Sequence, residues 1–228
     1  VVRNGSNNSI AGATTFSNTG TVTLVSGSGS STFTGGVTAT APSQVNIGGT
    51  VQTTNSTISI GDSDTPTVLT ANSTISAGNG TITLGGTVNG AYTLDVNTTG
   101  TTTFSGIIGG TTALTSLTTN TGGTTAINGG SVRTTGAQTY NDNVTLGANT
   151  TLTTTSNGNI SFAGTIDGSG KNLTLDTGLT SGTISVTGAV GSTAALGTIT
   201  ISKSAGTTFS SSVNAATITI SDTKASTS

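Results

Sequence analysis

The chain has 228 residues, a formal net charge of −2, 5% charged residues and 3% aromatic residues, and it contains no His, Cys, Met or Trp. Without His or Cys it cannot build a conventional catalytic triad, an imidazole base, a thiolate zinc site or a disulfide. Five Lys and Arg residues are too few and too dispersed for a nucleic-acid-binding face. No apolar run approaches the roughly 18 residues that span a bilayer. We therefore expect no enzymatic activity, no cofactor, no nucleic-acid partner and no membrane span.

Alternating apolar and small polar residues predict short β-strands along the whole chain. A period of two over four or five residues is typical of a half-buried strand, with Ile, Val and Leu facing inward and Thr or Ser outward. In chain order these segments are 21–24, 57–60, 81–84, 183–186, 198–201 and 217–220. No window has the period of a helix. Regularly spaced β-branched residues and the low charge argue against disorder.

Dipeptides that favour tight corners separate the predicted strands. Asn-Gly, Asp-Gly and Gly-Gly pairs supply the positive φ that such corners require. They occur at residues 79–80, 89–90, 109–110, 128–129, 157–158 and 167–168. The connections are therefore predicted to be short.

A longer internal repeat is superimposed on this rhythm. Segment 79–90 returns as 157–168, so that Ile160 corresponds to Ile82, and Phe104 returns as Val186 with a slightly larger offset. The insertions fall between strands, as stacked coils tolerate. We interpret residues 1–228 as a single repetitive segment in which 79–156 and 157–228 are two copies of a long repeat.

Within each copy the strand centres are evenly spaced, near 82, 104 and 127 and near 160, 184 and 209. This spacing predicts an all-β solenoid of stacked parallel coils, each of about 20–25 residues. The alternative is a tandem array of β-sandwich repeats, but such cores usually need large side chains, and the chain has no Trp and two Tyr. The predicted core residues are Ile82, Leu84, Val88, Leu94, Phe104, Ile108, Ile160, Phe162, Ile166, Leu173, Leu175, Ile184, Val186, Val190, Ile199, Ile201, Ile218 and Ile220.

Both ends of the chain carry sequence of the repeat type. The chain opens Val1-Val2-Arg3 without a Met or a signal peptide, so we expect it to belong to a longer chain or to be a processed product. The first and last coils of a stack present strand edges that invite another chain. We therefore expect either continuation in a longer chain or end-to-end self-association.

The runs at 172–178 and 182–191 resemble the β-strand repeats of large bacterial exoproteins, the filamentous-haemagglutinin-like and autotransporter-type adhesins. The resemblance extends over essentially the whole chain and lies in the strand rhythm. It implies a right-handed parallel β-helix that is secreted by a Gram-negative bacterium. The Asn-Pro-rich signatures of that family's secretion domain do not occur here, so the resemblance does not extend to the export route.

The acidic residues give little sign of chemistry. Seven Asp residues are scattered singly except for Asp62-Ser63-Asp64, and only Asp62 and Asp64 are candidate metal ligands, without a recognised calcium-loop pattern. Asp95 and Asp176 occupy equivalent repeat positions, which favours a strand-end or corner role over catalysis in a β-helical polysaccharide lyase or glycosidase. Asn-x-Ser/Thr triplets, as at Asn72 and Asn149, are expected by chance in this composition.

The leading interpretation is a structural or adhesive protein, extracellular and at the bacterial cell surface, that forms a stalk, fibre or biofilm-matrix filament. Its candidate partners are host surfaces, cell surfaces and matrix polysaccharide. The alternative is an ice-binding or other surface-binding solenoid that uses Thr-x-Thr ladders. The ladder would stack the pairs Thr81/Thr83, Thr151/Thr153, Thr198/Thr200 and Thr217/Thr219 on one face. A third interpretation is a degraded or atypical carbohydrate-active β-helix.

Overall fold

In the computed structural model the predicted alternation becomes a continuous series of β-strands. The structure describes residues 7–178 and 180–221, and within these ranges there is no helix, and hence none long and apolar enough to cross a membrane. The strands, in chain order, are β1 (Asn8–Ile10), β2 (Thr14–Thr15), β3 (Val22–Phe33), β4 (Val37–Ala39), β5 (Val45–Gln52), β6 (Ile58–Ile60), β7 (Thr67–Leu69), β8 (Ser73–Gly78), β9 (Ile82–Leu84), β10 (Val88–Asn89), β11 (Thr93–Thr98), β12 (Thr101–Phe104), β13 (Ser116–Thr119), β14 (Thr124–Ile127), β15 (Ser131–Thr134), β16 (Gln138–Tyr140), β17 (Asn143–Leu146), β18 (Thr150–Thr154), β19 (Ile160–Phe162), β20 (Ile166–Asp167), β21 (Leu173–Asp176), β22 (Thr183–Val186), β23 (Leu196–Lys203), β24 (Gly206–Phe209) and β25 (Ala215–Ile220). All the strand segments predicted from the alternation are present.

These strands form three faces around one axis, and each strand pairs in parallel with strands of its own face in the neighbouring coils. Face A comprises β1, β8, β11, β13, β16, β19, β22 and β24, together with the second halves of β3 and β5. Face B comprises β2, β4, β6, β9, β12, β14, β17 and β20. Face C comprises β7, β10, β15, β18, β21, β23 and β25, together with the first halves of β3 and β5. The predicted β-solenoid is confirmed, with about ten coils. The parallel pairing excludes the alternative of antiparallel β-sandwiches.

The length of each coil can be read from the strand register on face A. Val51 pairs with Ile75, and Ile75 pairs in turn with Val96, so each step along this column corresponds to one coil. The same column includes Tyr140, which pairs with Phe162. The differences between the numbers of paired residues agree with the coil length that the strand spacing predicts.

The interior is one continuous hydrophobic core formed by the inward residues of all three faces. Along the strands, buried and outward residues alternate, as in β6, β9 and β12. All the predicted core residues are buried except Ile218 and Ile220, which are 49% and 60% exposed. For these two the prediction is wrong because β25 is the last described strand of face C, and no described coil covers it.

The long internal repeat does not coincide with whole coils of the stack. Ile82 lies in β9 on face B, whereas its counterpart Ile160 lies in β19 on face A. Phe104 on face B likewise corresponds to Val186 on face A. The two copies are therefore displaced by one face, and the repeat is not a structural period of the rod.

What the two copies share is a corner motif. In the first copy the N–H of Gly109 donates to the carbonyl oxygen of Val88 at 2.7 Å, and in the second the N–H of Gly191 donates to that of Ile166, also at 2.7 Å. Both glycines have a positive φ, 72° and 66°. The motif lies at the end of face C in the first copy and at the end of face B in the second. The similarity between the copies thus records a recurring local conformation.

Candidate functional surfaces

The candidate metal ligands Asp62 and Asp64 lie in the turn between β6 and β7. Asp62 Oδ1 accepts the backbone N–H groups of Asp64 and Thr65, each at 3.0 Å, so its side chain closes a turn of its own backbone. Within 7–178 and 180–221, no group of three or more His, Cys, Asp or Glu side chains could hold a metal ion. The structure therefore gives Asp62 a turn-forming role and brings no third carboxylate to the pair.

Two further carboxylates, those of Asp95 and Asp176, are held apart by the fold. Asp95 projects from β11 on face A, and Asp176 projects from β21 on face C, where it pairs with Lys203 after a register shift. The predicted equivalence of the two positions is wrong, because the long repeat is displaced by one face. Glycosidases need two carboxyl groups within about 5 to 10 Å of one another, and Asp95 and Asp176 project from different faces.

A shallow depression of about 380 Å³ at the corner between faces B and C contains Asp167. Asp167 Oδ1 accepts the backbone N–H groups of Thr193 and Ala194, at 2.8 and 3.1 Å. Asn89 accepts the two corresponding N–H groups in the first copy of the corner motif, at 2.9 and 3.1 Å. Because an amide performs the same role in the other copy, the carboxylate of Asp167 is explained by the architecture of the corner.

Asp142 is a buried carboxylate at the corner between faces A and B, only 2% exposed. Its oxygens accept the N–H of Gly123 at 2.8 Å and the hydroxyl of Thr125 at 3.2 Å. Burial raises the pKa of Asp142 above its usual value, and the two hydrogen bonds, which favour the charged form, act in the opposite direction. The folded protein therefore binds a proton at Asp142 more tightly than the unfolded chain does.

We expect Asp142→Asn to stabilise the protein at neutral pH, because the substitution removes the desolvated charge. The amide oxygen can still accept the N–H of Gly123, and the amide NH2 group can donate to the hydroxyl oxygen of Thr125. The raised pKa destabilises the wild type above the folded-state pKa, and this penalty disappears as the pH falls toward the unfolded value near 4. The stability difference between variant and wild type should therefore be largest at pH 7 and should shrink on acidification. Urea titrations from pH 4 to 8 measure it; a difference that is independent of pH contradicts the assignment.

A set of exposed asparagines connects several coils to the coils that follow them, and sequence reasoning missed this role. Their side-chain oxygens accept a backbone N–H group of the following coil at 2.7–3.1 Å. The asparagines and the donors are Asn72 and Thr93, Asn143 and Thr165, Asn149 and Asn172, Asn159 and Thr183, and Asn172 and Thr198. Each of these asparagines begins an Asn-x-Ser/Thr triplet. The triplets that we attributed to chance therefore have a structural origin: Asn at a corner, then one inward and one outward residue.

Buried hydroxyl groups close the corner between faces C and A. Thr134, Thr154, Thr177 and Ser204 occupy equivalent positions in four consecutive coils. Each hydroxyl donates to the carbonyl oxygen of a glycine two to five residues further along the chain, at 2.6–2.8 Å. The acceptors are, in the same order, Gly136, Gly158, Gly182 and Gly206. Loops of different length are thus tied by the same hydrogen bond. This corner absorbs part of the variation in coil length while the strands stay in register.

We expect Thr154→Val to lower the free energy of unfolding by about 1–2 kcal/mol, because a buried hydrogen bond to Gly158 is lost at nearly constant volume. The matched control is Thr153→Val, which changes the outward neighbour on the same strand and should cost less than about 0.5 kcal/mol. Urea denaturation of both variants measures the difference. Equal losses of stability in the two variants would contradict a stabilising role for the buried hydroxyl groups at this corner.

The predicted Thr-x-Thr pairs do not share one face. Thr81 and Thr83 lie on face B, whereas Thr151/Thr153, Thr198/Thr200 and Thr217/Thr219 lie on face C. The predicted single ladder is therefore wrong. On face C the column of Thr153 continues into Asp176 and Lys203, so charges interrupt the hydroxyl array.

Face B carries an uncharged hydroxyl array that extends over four consecutive coils. Its first column contains Thr57, Thr81, Thr101 and Thr124, and its second contains Ser59, Thr83 and Thr103. Hydroxyl oxygens of neighbouring coils lie 3.3 Å apart at Thr57 and Thr81 and 3.0 Å apart at Thr101 and Thr124. The array therefore has a regular spacing in two directions, set by the strand separation and by the two-residue period.

The fold and these surfaces define a parallel β-solenoid with a hydroxyl-rich, sparsely charged exterior. Comparisons with protein families, with curated proteins and with solved structures find nothing that matches this chain. The chain is therefore classified by its architecture, as a β-solenoid.

Proposed function

We propose that the protein is a structural element, a stiff rod that serves as a stalk, fibre segment or matrix filament. The observation that carries the proposal is the single hydrophobic core, which passes without interruption through the stacked coils. Ten or so coils at about 4.8 Å each give a rod on the order of 50 Å long. Parallel hydrogen-bond ladders on three faces, supplemented by the asparagine contacts between coils, resist bending and extension.

We further propose an extracellular location at the surface of a bacterial cell or in its matrix. The support is compositional: repetitive Thr, Gly and Asn, few charges and no cysteine, in the style of filamentous-haemagglutinin-like exoproteins. Having only five Lys and Arg residues also leaves few cleavage sites for trypsin-like proteases. Such resistance suits a protein outside the cell.

Small-angle X-ray scattering of the purified chain, together with antibody labelling of intact producing cells, tests this proposal. We expect an elongated particle whose axial length is about 50 Å, and labelling without permeabilisation. A spherical particle contradicts the rod. Labelling that requires permeabilised cells contradicts the surface location.

The adhesive part of the proposal rests on the outward residues of the three faces. Ser and Thr form long outward columns, as at Thr118, Thr139, Ser161 and Ser185 on face A. Such columns offer hydroxyl donors and acceptors to cell-surface or matrix polysaccharide. Retention of the purified rod on polysaccharide-coated surfaces, compared with uncoated ones, is the measurement. Equal retention on coated and uncoated surfaces would contradict the adhesive function but not the structural function as a stalk.

The hydroxyl array on face B favours a second candidate function, binding to ice. Its regular hydroxyl and methyl groups can order water on an uncharged surface, and no aromatic side chain stands in its two columns to stack against a sugar ring. Thermal hysteresis of the purified chain tests it. We expect Thr83→Lys on face B to abolish any hysteresis and Thr174→Lys, the matched change on face C, to preserve it. A wild-type chain without hysteresis contradicts this candidate.

A further inference from the structure

A polar side chain, that of Gln138, lies inside the hydrophobic core. Among the residues that the structure describes, it is the only fully buried amide. Gln138 stands in an inward column of face A, between Leu117 of the coil before and Ile160 of the coil after, both of them fully buried. An amide at such a position costs free energy unless its polar groups are hydrogen-bonded. Core packing alone therefore does not explain a glutamine in this column.

The amide of Gln138 is hydrogen-bonded across the interior of the rod. Its Nε2 donates to the carbonyl oxygens of Val132 in β15 and Thr153 in β18, at 3.2 and 3.0 Å, and to the hydroxyl oxygen of Thr134 at 3.3 Å. Its Oε1 accepts the hydroxyl of Tyr140 at 3.0 Å. Because a backbone carbonyl can be met only by a donor, the orientation of the amide is fixed. One side chain on face A thus contacts two neighbouring coils of face C.

Tyr140 holds the other end of this network. Its ring is fully buried and stacks on that of Phe162, with centroids 4.9 Å apart and planes 13° apart. Burial raises the pKa of Tyr140 well above its usual value, so its hydroxyl stays protonated and remains a donor to Gln138. The side chains of Gln138 and Tyr140 therefore move together with the strand β16.

The network follows a corner that does not define the strand register by its length. β16 begins just after the corner between faces C and A, where the same hydroxyl bond closes loops of different length. A strand that slips by two residues keeps every inward side chain inward, because side chains alternate. Cores of small aliphatic residues tolerate such exchanges and lose uniqueness before they lose stability. The register of β16 therefore needs a more specific determinant than apolar packing.

We propose that Gln138 is a register lock, a side chain that fixes the position of β16 on face A relative to face C. A slip of two residues moves its amide by about 7 Å, beyond reach of the carbonyl oxygens of Val132 and Thr153. The Nε2 hydrogens then lie buried without acceptors, which disfavours the slipped register about 10- to 100-fold. Later coils stack on β16, so the lock acts on the rod beyond its own coil. It acts in the same way whichever surface the rod binds.

The double variant Gln138→Leu/Tyr140→Phe tests the lock in the full chain. It removes the amide and the hydroxyl together, so neither is left buried and unpaired, and its stability in urea should stay close to that of the wild type. The population of slipped β16 should rise about 10- to 100-fold, which gives a second set of backbone amide NMR signals for β16 and its neighbours. A cross-strand contact between residues 139 and 161, which are paired in the native register, identifies the native set.

Tyr140→Phe alone is the matched control. It keeps the bonds from Gln138 to face C and should give the single set of signals expected for the wild type. A double variant that also gives a single set would show that apolar packing fixes the register, and one that fails to fold would make the network a source of stability; either result overturns the lock. A second set in Tyr140→Phe would assign the register to the tyrosine hydroxyl instead of the amide, and overturns it too. None of these results bears on the rod function, since scattering measures the length of the rod independently.

Discussion

Phe104→Ala is expected to lower the free energy of unfolding by about 3–5 kcal/mol, the range for removing a buried aromatic side chain. Phe104 is fully buried in β12, between Leu84 and Ile127 of the neighbouring coils on face B. Its removal leaves a cavity that two rigid backbone ladders prevent from collapsing. Denaturant titration followed by circular dichroism measures the loss.

The control for this substitution is Ile107→Ala, slightly further along the same coil. Ile107 is 41% exposed, so the change should cost less than about 1 kcal/mol. If the two variants lose similar stability, packing of the hydrophobic core does not stabilise the rod, and backbone pairing alone would have to account for its stability.

Gly109→Ala is expected to destabilise the protein by about 2–5 kcal/mol, from two sources that add. Gly109 has a φ of 72°, a conformation that costs an L-residue about 1–2 kcal/mol. A methyl group there would also overlap the carbonyl oxygen of Arg133 in the next coil. Either the corner or the neighbouring strand must move, and the Gly109 bond to Val88 is weakened.

Gly170→Ala separates the two sources, because Gly170 has a similar φ of 77° but nothing within 4 Å of the added methyl group. It should cost only the conformational part, about 1–2 kcal/mol. Thermal unfolding of both variants under the same conditions gives the difference. Equal losses would mean that close stacking of the coils at Gly109 contributes nothing.

Much of the fold could be predicted because the strands are defined by a local pattern. Alternation such as Thr81-Ile82-Thr83-Leu84 assigns each residue to the inside or the outside, and a period of two admits no helix. The spacing of the strands then gives the coil length, since every coil must return to the same face. Neither step requires knowledge of distant contacts.

The assignment of residues to faces could not be predicted in the same way. Ile82 and Ile160 have similar surroundings in the sequence, yet they lie on faces B and A. The corner motif of Gly109 and Gly191 ends face C in one copy and face B in the other. Local sequence similarity therefore does not show on which face a strand lies. The Thr-x-Thr ladder was wrongly placed for the same reason.

Contacts between coils were also invisible to the sequence analysis. The side-chain oxygen of Asn149 accepts the backbone N–H of Asn172 in the next coil, and that of Asn72 accepts the N–H of Thr93 in the same way. The only signal in the sequence was the abundance of Asn-x-Ser/Thr triplets. Their role as contacts between coils can be recognised only once the strands are stacked. Ile220 illustrates the converse: its pattern is that of a core residue, but it is exposed because it lies in the last described coil.

By itself the sequence determined that this protein is an all-β solenoid with small inward aliphatic residues, short coils of nearly constant length and little material for acid–base or metal chemistry. Those properties follow from residue type and from a two-residue period, which are local. The tertiary structure alone decided which hydroxyl columns share a face and how the carboxylates are held apart. The face on which a residue lies depends on the summed length of all the corners before it. Each residue that is added at a corner shifts every later strand relative to the coils already formed.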